Sequence, residues 1–214
     1  QEMALSYRWT DAGMPPQFVL EKLNEIVGPE AIVVTDVGQH QMWSAHYMKV
    51  DQPRHWLSSG GLGTMGYGYP AAIGAQFGNP DRLVVDISGD GSIQMNIQEM
   101  ATARHHQLPV KVVILNNCFL GMVRQWQDLF YQKRYSAVEL CALPDFVKLA
   151  EAYDSVGFET ANPDAVTGII EQAMEINDRP VLMNFHVARE ENVFPMIPAG
   201  KSIHDMMLKE TLSD

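Results

Sequence analysis

The chain has 214 residues, 46% of them hydrophobic and 19% charged, and its formal net charge is -11. That length can bury one proper core and fits one domain with extensions. An acidic surface, with a pI of about 5.0, argues against nucleic acid and anionic membranes as main partners, and no apolar run approaches the roughly 18 residues of a membrane span.

Residues 1–15 read as a linker from an upstream domain. Gln1-Glu2-Met3-Ala4 lacks an initiator Met at position 1 and the basic and apolar regions of a signal peptide, which points to a segment excised from a longer chain. Pro15-Pro16 opens a helix with Val19, Leu23 and Ile26 on one face, closed near Gly28-Pro29. Ala31 to Val34 reads as a buried strand running into a polar loop, Asp36-Val37-Gly38-Gln39-His40, and residues 40–48 as a helix. Trp56-Leu57-Ser58 is a short strand, Gly60 to Gly66 a glycine-rich turn, and the Ala- and Gly-rich stretch after it, through Ala75, a closely packed helix. Leu83 to Ile87 is a strand entering Gly89-Asp90-Gly91-Ser92, and the helix after it has Ile93, Ile97, Met100 and Ala101 on one face, with His105 and His106 solvated at its end. Val110 to Leu115 is a strand entering Asn116-Asn117, followed by a helix carrying Met122, Trp126 and Phe130. Helices near 144–152 and 163–176 alternate with strands near 155–159 and 180–187. Residues 191–214 form a proline-punctuated tail with a last helix from Ser202 to Leu208. The two cysteines, Cys118 and Cys141, make no disulfide framework and read as reduced thiols of a cytoplasmic, bacterial-type protein.

Alternating strands and helices across residues 16–190 predict an α/β fold: three αβα layers around a mainly parallel sheet. Ligands of such sheets sit at the carboxyl ends of the strands, where Gln39-His40, Asp90 and Asn117 all fall. A carboxylate and a carboxamide on neighbouring loops are hard oxygen ligands that suit Mg²⁺ sharing its shell with a phosphate. Phe119 is the candidate for a third ligand through its main-chain carbonyl. Gly91 and Ser92 open a helix whose N–H groups favour a diphosphate. The plain alternatives are a turn-forming Asp90, an N-capping Ser92, a core-packing Met65 in the glycine-rich segment, and a helical core stripe of Met122, Trp126 and Phe130 at fourfold spacing.

Gly89-Asp90-Gly91 followed by Asn116-Asn117, with strand-helix-strand spacing between, resembles the thiamine-diphosphate motif. Val37-Gly38-Gln39-His40-Gln41-Met42-Trp43, Ser58 to Gly68, Leu120-Gly121-Met122-Val123-Arg124-Gln125-Trp126 and Phe194-Pro195-Met196-Ile197-Pro198 are similar to the acetohydroxyacid synthase (acetolactate synthase) large catalytic subunit. The resemblance covers nearly the whole chain and only the C-terminal, diphosphate-binding third of that enzyme. It implies Mg²⁺ on Asp90, Asn117 and the Phe119 carbonyl. Gln39 and His40 would lie against the diphosphate, and Gly91, Ser92, Leu120, Gly121 and Met122 would complete its surroundings. Gly63 would offer a carbonyl to the aminopyrimidine, beside Thr64. Met65 would wedge between the rings and hold the cofactor bent, so that its exocyclic amine approaches the thiazolium carbon. Met122, Trp126 and Phe130 would shape the pocket for the second 2-keto acid. Tyr69 departs from the family, which usually has Leu before Pro70, and Cys118 and Phe119 vary among relatives without affecting main-chain ligation.

The same resemblance implies a synthase joining pyruvate to a second pyruvate or 2-ketobutyrate for isoleucine, valine and leucine biosynthesis. It implies FAD bound mostly by another domain, a pyrimidine-binding domain from a second subunit, a homo-oligomeric parent and a small regulatory subunit. The family's catalytic Glu belongs to an N-terminal domain outside these 214 residues, so the chain alone is expected to be inactive. Two other readings stay open: a pyruvate oxidase or glyoxylate carboligase relative, and a non-catalytic module that only binds Mg²⁺-diphosphate.

Overall fold

A computed structural model describes residues 5, 7–140 and 142–208; residues 1–4, Ser6, Cys141 and residues 209–214 lie outside the described residues. The described secondary structure is α1 (Pro16–Val27), β1 (Ile32–Thr35), α2 (Gln39–Tyr47), β2 (Trp56–Ser58), α3 (Gly68–Gly78), β3 (Val84–Gly89), α4 (Met100–His105), β4 (Lys111–Asn116), α5 (Gly121–Phe130), α6 (Phe146–Ala152), β5 (Val156–Thr160), α7 (Pro163–Met174) and β6 (Val181–His186). A 3-10 segment, Ile93–Glu99, precedes α4.

The strands form one sheet in the order β2-β1-β3-β4-β6-β5, with every neighbouring pair parallel. Successive residues of a strand face opposite sides of the sheet, so a strand apolar at every position must be covered on both faces. β4 shows this directly. Val113 and Leu115 join Val19, Leu20 and Leu23 of α1, Trp43 of α2 and Ile170 of α7 in one core. Val112 and Ile114 join Tyr69 and Ile73 of α3, Met100 of α4 and Phe146 of α6 in the other. The expected three-layer αβα architecture is thus present. The chain leaves β1 in one direction to reach β2 and crosses back to reach β3, which opens the sheet's switch point between the carboxyl ends of β1 and β3. Crevices of this kind receive ligands in open α/β sheets.

Four expectations need correction. Gln39 and His40 are not in the loop after β1; they form the first turn of α2, with Gly38 as the N-cap residue before it. The segment after Asp90 is 3-10 rather than α-helical as far as Glu99 and kinks at Asn96 (φ -134°), whose side-chain amide donates to the Gly66 carbonyl instead of solvating a helix face. Its inward face uses Ala103, not Ala101, which is exposed. The helix expected from Ser202 to Leu208 shrinks to one turn, Ile203–Asp205, closed by a Ser202–Asp205 capping box. Met207 then pairs with Met196 by two backbone hydrogen bonds of 2.8 and 3.0 Å, which ends the helix. His105 and His106 are exposed at the end of α4, as expected. Among the described residues no helix is long and apolar enough to cross a membrane.

Both flanking segments pack on this frame. Trp9 stacks edge-on against Phe18 of α1 at 5.1 Å, and Met14 is buried. Beyond β6, Asn192 and Val193 are buried as well.

Candidate functional site

Asp36, directly after β1, is buried, and its carboxylate accepts from the backbone N–H groups of Val37 (2.7 Å), Gly66 (2.9 Å) and Gly68 (2.8 Å). It therefore anchors the far end of the glycine-rich segment over the crevice. Gly66 is required there twice over: its φ is +87°, and a Cβ would stand 2.7 Å from the Asn96 amide nitrogen. Gly63 and Met65 hang from this anchor.

His40, in the first turn of α2, packs its ring against backbone. A Cβ on Gly38 would lie 2.6 Å from its Cε1, and one on Gly89 2.8 Å from its Nδ1. Burial pushes its pKa down to about 4, so the imidazole is neutral at neutral pH. Its Nε2 is buried and has no partner among the described residues.

Asp90 occupies, after β3, the place that Asp36 holds after β1. Its Oδ1 accepts from Gly91 N–H (3.0 Å) and its Oδ2 from Cys118 N–H (2.7 Å). Burial raises its pKa to about 7 in spite of these two donors. Ser92 does not cap the following segment; its hydroxyl turns back to the Gly89 backbone, accepting from Gly89 N–H at 3.0 Å. After β4, Cys118 at φ +60° bends the loop, Asn117 Oδ1 accepts from Phe119 N–H (3.1 Å), and the Arg189 guanidinium lies over the Phe119 ring at 4.8 Å. Cys118 is a free thiol, and burial pushes its pKa up.

One cleft gathers most of the predicted set. Gln39, His40, Gly63, Met65, Asp90, Gly91, Ser92, Asn117, Phe119, Leu120, Gly121 and Met122 all line it. Thr64 is exposed outside it. Trp126 and Phe130 are also outside, 47% and 46% exposed on α5, and Trp126 borders a separate shallow depression with Val123, Gln127, Tyr131 and Arg134. The core-stripe reading of Met122, Trp126 and Phe130 is therefore wrong. The buried residues of α5 are Arg124 and Gln125, because the chain after β6 offers them partners. Arg124 donates to the Glu190 carbonyl (3.0 Å) and Asn192 Oδ1 (2.6 Å), and Gln125 exchanges hydrogen bonds with the Val193 backbone.

These residues fit a metal-bound diphosphate. A buried carboxylate with a raised pKa is what a cation relieves. Among the described residues no three His, Cys, Asp or Glu side chains cluster to hold a metal; a cation here would draw on mixed oxygens such as those of Asp90, Asn117 and the Phe119 carbonyl. His40, whose buried Nε2 has no partner among the described residues, lines the same cleft, and Gly121 leaves room that a Cβ would fill, 2.1 Å from Gln39 Oε1. Reasoning from sequence missed Asp36 and Gln125. Asp36 carried a usable signal, an acidic residue ending a strand and followed by a dense run of glycines. Gln125 carried none.

Residues 36–185 match the family described as thiamine pyrophosphate enzyme, C-terminal TPP binding domain. The chain is 51% identical over 197 residues to acetolactate synthase of Mycobacterium leprae, covering 90% of this chain and 32% of that protein. It is 45% identical over 206 residues to the acetolactate synthase large subunit of Haemophilus influenzae (96% and 36%). It is 46% identical over 209 residues to the isozyme 3 large subunit of Escherichia coli (97% and 36%). The chain thus spans about a third of the length of these relatives. It belongs to the thiamine pyrophosphate enzyme family, whose C-terminal TPP-binding domain it contains.

Proposed function

We propose that the cleft holds the diphosphate of thiamine diphosphate through Mg²⁺, and that the chain supplies this half of an acetolactate synthase active site. The observation that carries the reading is Asp90, a buried carboxylate held only by N–H donors on the wall that also bears Asn117 and the Phe119 loop. Asp90, Asn117 and the Phe119 carbonyl would hold Mg²⁺. Gln39, His40, Gly91, Ser92, Leu120 and Gly121 would border the diphosphate, and Gly63 and Met65 the rings. Thiamine diphosphate, when bound, supplies the electron sink for decarboxylating one 2-keto acid and joining the remainder to a second. His40, kept neutral by burial, would border the diphosphate without adding charge. Met65 would support the cofactor's rings, and the Asp36-anchored loop holds Met65 in place.

The exposed face of α5, with Met122, Trp126 and Phe130, shapes the second-substrate pocket once a pyrimidine-binding domain of a second subunit covers it. Pyruvate and 2-ketobutyrate are the substrates. FAD, the catalytic Glu and any regulatory subunit are contributed from outside these 214 residues, in the cytoplasm, within branched-chain amino-acid synthesis. By themselves the 214 residues form no acetolactate.

A chimera tests this reading. The chain is fused behind the first two-thirds of the Mycobacterium leprae enzyme and given pyruvate, Mg²⁺, FAD and thiamine diphosphate. Acetolactate formation is expected, and Trp126→Leu lowers the preference for 2-ketobutyrate. A chimera that binds the cofactor yet forms no acetolactate refutes the synthase reading in favour of another carboligase or a plain binding module.

A further inference from the structure

Three buried side chains link the cleft to the backbone of the segment after β6, and the chemistry of each link fixes the direction of the next. An amide's oxygen and nitrogen are told apart only by their partners. Val193 supplies partners of fixed polarity. Its N–H can only donate and reaches Gln125 Oε1 at 2.8 Å; its carbonyl can only accept and lies 3.2 Å from Gln125 Nε2. Gln125 Oε1 then faces Gln39 at 2.8 Å, and the Glu191 carbonyl faces the same Gln39 group at 2.9 Å. Both are acceptors, so the Gln39 group between them must be the NH₂. Gln39 Oε1 is thereby turned toward Asn117, 3.2 Å away, and the Asn117 atom meeting it must be Nδ2. Asn117 Oδ1 is left for Phe119 N–H and the cleft.

We propose that Gln39 is a positioning residue: held by Gln125 and the Glu191 carbonyl, it locks the Asn117 carboxamide with its oxygen, not its nitrogen, presented to the metal. The inference rests on the metal reading above and reassigns Gln39 within it. Both amide protons of Gln39 are used inside the protein and its oxygen is used by Asn117, so its side chain has no donor left for a phosphate. Gly121 independently supports the assignment. A Cβ there would stand 2.1 Å from Gln39 Oε1 and 2.9 Å from Asn117 Nδ2, so the chain keeps glycine where the two amides meet. Gln39, Gln125 and Asn117 are each no more than 5% exposed, so a flipped amide would leave two like groups facing each other without water to separate them.

The test uses Mn²⁺ as the probe, titrated into the protein with thiamine diphosphate at saturation and free Mn²⁺ read by electron paramagnetic resonance. Gln39→Met, close to isosteric and unable to orient an amide, is expected to weaken Mn²⁺ about 10-fold, the lower range for groups that orient a metal ligand. Saturating Mn²⁺ should restore the diphosphate affinity. In an Asn117→Asp background both terminal atoms are oxygens and no orientation is needed. Gln39 Oε1 then opposes a carboxylate, so adding Gln39→Met should strengthen Mn²⁺ binding rather than weaken it. This reversal of sign is a result that general loss of structure does not give. Equal weakening in both backgrounds, with binding still lost in Asp90→Ala, overturns the positioning role alone. Binding absent from the wild type, or untouched by Asp90→Ala, overturns the metal reading and the positioning role with it.

Discussion

Asp36 and Asp90 are the same residue type at the ends of adjacent strands, β1 and β3, both about 1% exposed, and they do different things. Asp36 meets three backbone N–H groups, two of them from a loop some thirty residues away, and so closes the fold on itself. Asp90 meets two, both from residues lining or flanking the cleft, and burial still lifts its pKa to about 7. The proposed difference between an anchor and a ligand site is thus the number of donors the chain commits to a carboxylate at the cleft. An under-supplied carboxylate that borders the cleft would leave room for a cation to complete it.

The largest expected effect tests the anchor. Asp36→Ala leaves three buried N–H groups without acceptors, at roughly 1 kcal/mol or more each, so urea unfolding should show a loss of about 3 kcal/mol. Cofactor binding should fall with it, because Gly63 and Met65 lose their support. A loss under about 1 kcal/mol would erase the distinction between the two aspartates. The next effect tests the ligand. Asp90→Ala should abolish Mg²⁺-dependent binding of thiamine diphosphate, at least 100-fold by calorimetry. It should change stability by less than about 1 kcal/mol, since removing a poorly solvated charge offsets the two hydrogen bonds it made.

A third carboxylate sharpens the pattern. Asp86, two residues into the strand that Asp90 follows, is wholly buried with one donor, the Ser88 hydroxyl at 2.7 Å, and its Oδ1 has no partner among the described residues. Burial raises its pKa well above the ordinary carboxylate value. The folded state thus keeps a proton that the unfolded state loses above about pH 4, so this group's contribution is fully present below that pH and is lost as pH rises toward the folded-state value. His40 slopes the other way, its lowered pKa favouring the folded state as pH rises from about 4 toward 6.5. Asp86→Asn should keep the Ser88 hydrogen bond and flatten the decline in stability at high pH. An unchanged profile from pH 5 to 9 would mean that Asp86 is not the proton held.

Much of this was legible from residues alone, for physical reasons that differ by region. The centre of β4, Val112 to Leu115, is a continuous apolar run, and a two-faced strand of that kind leaves little choice but a covered parallel sheet. Asp90 and Asn117 were legible because strand-helix-strand spacing puts both at one sheet edge. The kink at Asn96 was not, since it arises from a side chain reaching the Gly66 carbonyl across the crevice. Nor was the role of Gln125, whose partners sit 68 residues further along the chain. Helical spacing misled for α5 for the same reason: an i, i+4, i+8 apolar row looks inward unless one knows that the opposite row already has buried partners.

That inversion of α5 supports the smallest prediction and carries the rule about committed partners from carboxylates to a helix. Arg124 is 1% exposed and gives its Nη2 to the Glu190 and Glu191 carbonyls and Asn192 Oδ1, whereas Trp126, two residues on, is 47% exposed. If burial tracks internal partners rather than side-chain polarity, Arg124→Ala should cost about 3 kcal/mol, the scale for stranding partners of a buried charge. Trp126→Ala should fall within about 0.5 kcal/mol of the wild type, as surface substitutions do. Denaturant midpoints of the 214-residue chain measure both. The reverse ranking, with the tryptophan costing more than the arginine, would mean that α5 packs its apolar row inward in solution.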